Sequence, residues 1–171
     1  IRKNFIAAHP MTGTEKNGPK AAIDNLYEGK TVVLCDLEDN ANIHVNKAFK
    51  IFQEIGMRIV VMNSHEHDVN ACYISHLPHL ISFGLANTVM SHQNPKEIIA
   101  LAAGGFKDMS RIAKSSPRMW GDIFKQNREN MLESIKSFED QMNEAKKMIE
   151  EERYEDLENW MKKANSLHEI L

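Results

Sequence analysis

Four short clusters in this sequence combine residue types able to do chemistry. The first is His9-Pro10-Met11-Thr12-Gly13-Thr14-Glu15-Lys16-Asn17-Gly18. An imidazole gains and loses a proton near neutral pH, and the small residues after it let backbone approach a ligand. Open α/β sheets bind ligands beyond the carboxyl ends of their strands, so a His directly after an opening strand is well placed for work. Taken alone, however, a loop His is more often structural or simply solvent-exposed.

The second cluster runs from His65-Glu66-His67-Asp68 to Ser75-His76-Leu77-Pro78-His79. So many imidazoles invite a metal-site reading, and a metal-dependent hydrolase using His65, His67 and Asp68 is one function class to weigh. Spacing argues against it: residues two apart on a helix point to different faces, and no third ligand sits at a matching offset from His76 and His79. We expect no metal. His76 is then either a pocket residue at the Pro78 kink or a hydrogen-bonded core histidine.

The third cluster is Gly104-Gly105-Phe106-Lys107-Asp108-Met109-Ser110-Arg111-Ile112-Ala113. Lys107 and Arg111 after a flexible glycine turn could form an anion site, because a guanidinium grips a carboxylate through two parallel bonds. Asp108 could cap the short helix or orient the arginine. A surface turn with ordinary charges fits the same residues. The fourth, Ser115-Ser116-Pro117-Arg118-Met119-Trp120, reads as a helix start, with Trp120 packed in a core or a subunit interface.

These side chains need a scaffold, and the periodicities supply one. Phe5–Ala8 reads as a short buried strand, Thr31–Cys35 as a β-branched strand, Asn40–Ile55 as a helix closed by Gly56, and Met57–Met62 as a further strand. The opening strand has nothing before it to pair with, which predicts a fragment of a longer protein whose preceding sheet lies upstream. From Asn63 onward the chain reads as helical. Asn63 and Glu66 form a capping-box-like start, and the helix they open is apolar on nearly every face to Met90, which predicts a central buried helix kinked at Pro78. Asn94-Pro95 starts a short helix and Ser116-Pro117 another. Met131, Ile135, Phe138, Met142, Ala145 and Ile149 then form a seam, continued in a last helix by Leu157, Trp160, Ala164, Leu167 and Leu171.

The totals bound the function. With 171 residues, 42% hydrophobic and 26% charged, the chain can bury a core and is a soluble globular type. A net charge of −3 without clustered Lys and Arg speaks against nucleic acid as a partner. No apolar run is long enough to cross a membrane. Cys35 and Cys72 are expected as free buried thiols of a cytoplasmic protein.

Taken in order, the clusters resemble prephenate dehydrogenase. The likeness rests on His9 to Lys16 with Gly18, on Ser75 to His79, on Gly104 to Asp108 with Arg111-Ile112-Ala113, and on Pro117 with Met119-Trp120. It implies a mainly α fold: a helical dimerisation domain of the 6-phosphogluconate-dehydrogenase C-terminal-like type over residues 63–171. Before it, residues 1–62 would form a small α/β remnant, the last strands of a Rossmann-like domain.

The resemblance further implies oxidative decarboxylation of prephenate to 4-hydroxyphenylpyruvate with NAD or NADP. His9 would assist deprotonation of the ring hydroxyl. Arg111 would pair with a carboxylate, His76 would contact the pyruvyl side chain, and Lys107 would add to substrate binding. Thr14, Glu15 and Asp108 would form a supporting polar network, and Trp120 would reach the partner's site in a homodimer. An arogenate or cyclohexadienyl dehydrogenase is a close alternative, and a non-catalytic helical dimerisation module a distant one. The family's Gly-x-Gly-x-x-Gly fingerprint is missing, as is the Ser that positions its catalytic His, so this polypeptide alone is expected to have little dehydrogenase activity.

Overall fold

The structure, a computed structural model, describes residues 4–14, 20 and 22–170. Its chain divides into two compact units, Ile1–Arg128 and Glu129–Leu171. Strand β1 (Ala7–Pro10) pairs antiparallel with β2 (Thr31–Cys35), and β2 pairs parallel with β3 (Arg58–Met62) across helix α1 (Asn42–Glu54). Alternation along β2 sends Val32 and Leu34 to one face, where Met57, Phe49 and Phe52 complete a small core with α1. Val33 and Cys35 point to the other face. Gly56 takes the left-handed conformation (φ 81°) that ends α1, as its position in the sequence predicts.

The opening strand lies two residues later than expected, and it is a half-exposed edge rather than a buried strand. Pairing with β2 decides this: the amide of Met11 donates to the carbonyl of Thr31, which fixes the register, and His9 comes to lie opposite Val33.

Helix α2 (Ser64–Ala71) starts with both bonds of a capping box. The Glu66 amide donates to the Asn63 side chain, and the Asn63 amide donates to the Glu66 carboxylate. At Cys72–His76 the chain widens into one π-helical turn before α3 (Leu77–Met90). Pro78 accounts for it: its ring lacks an N–H and crowds the carbonyl four residues back, so the helix absorbs an extra residue instead of breaking. The amide of Leu77 accordingly donates to the carbonyl of Cys72, five residues earlier.

The expectation of a central buried helix is corrected. Only Leu77 and Ser82 of α3 are buried, most of its other apolar residues are half-buried, and Met90 is exposed.

Helices α4 (Pro95–Ala100), α5 (Gly104–Ser110) and α6 (Pro117–Gln126) complete the first unit, with a 3-10 turn at Arg111–Lys114. Gly104 and Gly105 begin α5 rather than opening a flexible turn. A tertiary contact outweighs their low helix propensity: the buried Ser82 hydroxyl donates to the Met109 carbonyl at 2.8 Å and pins α5 to α3. In the second unit α7 (Arg128–Glu150) and α8 (Tyr154–Asn165) are joined by a bond from Trp160 Nε1 to Gln141 Oε1. Met131, Ser134, Ala145 and Met148 are buried, whereas Met142 and Ile149 of the expected seam are exposed. No helix among the described residues is long and apolar enough to cross a membrane.

Candidate active site

The pairing of His9 with Val33 carries its side chain to the sheet face opposite α1, where α2 lies. There His9 Nδ1 stands 2.8 Å from His67 Nε2, and His67 Nδ1 stands 2.9 Å from Asp68 Oδ1. Burial and the neighbouring His67 ring hold His9 below the ordinary histidine value of 6.5, against the opposite pull of Asp68. His9 is therefore a neutral proton acceptor at neutral pH. The strand-end rule does not explain its place, because β1 runs antiparallel to its neighbour and His9 lies within the strand.

The wide turn before Pro78 presents His76 and, one turn on, His79. Asn127 Nδ2 donates to the Asp68 carbonyl at 2.8 Å and also lies 3.2 Å from His76 Nδ1. A carbonyl only accepts, so this nitrogen is the amide donor and His76 Nδ1 is the acceptor. Neutral His76 then carries its proton on Nε2. Burial, ahead of the opposing pull of Asp68, keeps its proton affinity low. His79 Nδ1 donates to the Ser75 carbonyl at 2.9 Å, and its ring is stacked on buried Trp120.

Arg111 and Lys114 come from the 3-10 turn, whose three residues per turn set positions three apart on one face. Their side chains, with His9, Thr14, His76, His79 and Trp120, line a cavity of about 850 Å³. Two cations and no carboxylate stand among its described lining residues, so it favours an anion. Lys107 and Asp108 lie exposed on α5 and do not line the cavity, and Glu15 lies outside the described residues. Trp120 sits in the cavity of its own chain. Among the described residues no group of three or more His, Cys, Asp or Glu side chains is arranged to hold a metal ion.

A family model described as the dimerization domain of prephenate dehydrogenase matches residues 63–163, more than half of the chain. The chain belongs to the prephenate dehydrogenase family. The family's nucleotide-binding domain model matches residues 1–61. A prephenate dehydrogenase of Bacillus subtilis is 30% identical over 171 residues, covering 99% of this chain and 46% of the relative. A cyclohexadienyl dehydrogenase of Zymomonas mobilis is 32% identical over 136 residues, covering 78% of this chain and 46% of the relative. The crystal structure of prephenate dehydrogenase from Aquifex aeolicus in complex with hydroxyphenyl propionate and NAD+ superposes with a TM-score of 0.90 at 36% identity. That match covers 99% of this chain and 60% of the crystal chain. The chain thus spans about half the length of the curated relatives it matches.

Prephenate dehydrogenases use a nicotinamide dinucleotide, and no Gly-x-Gly-x-x-Gly turn to cradle its phosphates stands among the described residues. The turn after β2 carries Asp36, Glu38 and Asp39. Asp36 rather than a glycine holds the left-handed position there (φ 52°), and carboxylates repel a pyrophosphate.

Two contributors escaped the reading of the sequence, Lys114 and Asn127, while His67 and Asp68 were weighed there only as metal ligands. Lys114 had a usable signal, its three-residue spacing from Arg111. Asn127 had none, since the partners its amide meets lie far along the chain.

Proposed function

We propose that this chain is the substrate-binding and dimer-forming portion of an NAD(P)-dependent prephenate dehydrogenase, which oxidatively decarboxylates prephenate to 4-hydroxyphenylpyruvate. The observation that carries the reading is the cavity with Arg111 and Lys114 at one wall and neutral His9 at another, with no carboxylate among the described lining residues. Prephenate is a dianion with one ring hydroxyl. Arg111 pairs with a carboxylate, the Nε2–H of His76 donates to the pyruvyl group, and His9 accepts the hydroxyl proton. Thr14 and Trp120 shape the pocket. Lys107 and Asp108 stand on α5 outside the cavity lining and have no direct part in this reading.

Residues 1–62 are the edge of a nucleotide-binding domain and residues 63–171 the prephenate-binding and dimerisation domain. His9 of the first and His76 of the second share the cavity. Exposed Met90, Ile98, Ile99 and Leu101 on and after α3 and α4 supply an apolar surface for a homodimer, in keeping with the dimerization-domain match. Cys35 and Cys72, buried and not joined in a disulfide, suit a reducing cytoplasm.

The test is calorimetric titration of the chain with prephenate. Arg111→Ala should weaken binding by about 1.5–3 kcal/mol, roughly 10- to 150-fold. Absence of binding by the parent chain, or an unchanged affinity in the variant, would overturn the reading in favour of a helical dimerisation module. The cyclohexadienyl dehydrogenase relative favours one second reading, acceptance of arogenate as well. Titration with arogenate decides it.

A further inference from the structure

We infer that His67 and Asp68 are positioning residues that lock His9 in the tautomer whose Nε2 is a bare acceptor. This deepens the proposed function and rests on His9 being its proton acceptor. The chain of contacts has one polarity. Asp68 at neutral pH only accepts, so the 2.9 Å contact requires the proton of His67 on Nδ1. A neutral His67 then has a bare Nε2, and the 2.8 Å contact with His9 requires the proton of His9 on Nδ1. His9 Nε2, its remaining nitrogen, is left without a proton and free for the cavity that His9 lines. Such a nitrogen takes a hydroxyl proton, whereas the opposite tautomer could only donate.

The relay orients more than it charges. Asp68 is 57% exposed at its side chain, so solvent screens its pull on a cation at His9. His67 is largely buried and carries the geometric constraint. α2 holds it rigidly because the capping box fixes the first turn of that helix, one residue before His67. The groups acting on His9 and on its neighbour His76 are these two, with His79 beyond.

Ring-nitrogen NMR of the chain labelled with nitrogen-15 histidine distinguishes protonated from bare nitrogens, residue by residue. At pH 7.5 both His9 and His67 should read Nδ1–H with bare Nε2. In Asp68→Ala the His9 Nε2–H form should rise to a major population, and the His9 titration midpoint should fall, since the carboxylate's raising influence is gone. His67→Phe should release the His9 tautomer. His67→Gln should restore it, because the Gln carbonyl can accept from Nδ1–H near the lost Nε2. Backbone amide spectra check that each variant is folded. A parent chain with Nε2–H on His9 would overturn the relay, as would a tautomer indifferent to both Asp68→Ala and His67→Phe. None of these readouts uses prephenate. A chain that shows the tautomer but fails to bind prephenate keeps the relay and loses the dehydrogenase reading.

Discussion

Trp120 lies nearly flat on His79, with ring centroids 3.7 Å apart and planes inclined by 24°, while its buried indole Nε1 has no hydrogen-bond partner among the described residues. The stack fixes one wall of the cavity, and the indole contributes through its faces rather than its polar edge. His76 meets the same indole edge-on, with centroids 6.1 Å apart.

Replacing the indole should therefore cost packing and little else. Trp120→Ala is expected to destabilise the chain by roughly 3–5 kcal/mol, the usual cost of emptying a large aromatic site. Trp120→Phe keeps a ring against His79 and strands no donor, so its cost should stay below about 1.5 kcal/mol. Urea unfolding of both variants measures the difference, and equal losses would contradict the account.

Acidification should weaken the fold through His9 and His76. Both are held below the ordinary value of 6.5, so the unfolded chain binds more protons than the folded one once the pH drops past that value. Above about pH 6.5 neither state is protonated at these sites and nothing is lost. As the pH falls from there toward the depressed folded values, stability declines, and below them the loss is complete. Urea midpoints at pH 7.5, 6.5 and 5.5 should fall in that order. The slope should flatten in a chain carrying His9→Asn and His76→Asn.

The capping box at the start of α2 offers a local test. Asn63→Ala should cost about 0.5–2 kcal/mol, whereas Glu66→Gln keeps an acceptor for the Asn63 amide and should cost less. If the alanine variant unfolds at the same urea concentration as the parent, the cap is not contributing.

The wide turn before α3 should respond to Pro78→Ala. An alanine restores the missing amide and removes the ring, so the segment Cys72–His76 is expected to tighten toward an α-helix. His76 would then turn away from Asn127 and Trp120, with loss of its ring contacts in NMR and weaker prephenate binding. An unchanged His76 environment would assign the wide turn to another cause.

What could be read from the sequence was local. Thr31–Cys35 is observed as the strand its β-branched run predicts, and Asn63 with Glu66 caps a helix because the signal lies within four residues. Ser116-Pro117 starts α6 for the same reason, with the Ser116 hydroxyl accepting from the Met119 amide. The opening strand was misplaced by two residues because its register belongs to β2, not to itself. Gly104 and Gly105 start a helix because Ser82, more than twenty residues earlier, holds its far end. The candidate site divides in the same way. Imidazoles at His9 and His76 and a guanidinium at Arg111 were visible as chemistry. The His9–His67 contact, between residues 58 apart, and the Asn127–His76 contact, 51 apart, were not, since no periodicity spans such separations.

The extra residue stored at Cys72–His76 has a consequence for chain length. On an α-helix each residue is about 100° of rotation and 1.5 Å of advance. Deleting one residue from this turn could leave an unbroken helix with every hydrogen bond made, yet the half bearing His67 would swing by about a quarter-turn against the half bearing His79. Counting residues between the two is thus a way of aiming them. A homologue shorter by one here would be expected to carry a compensating insertion or a differently built proton relay.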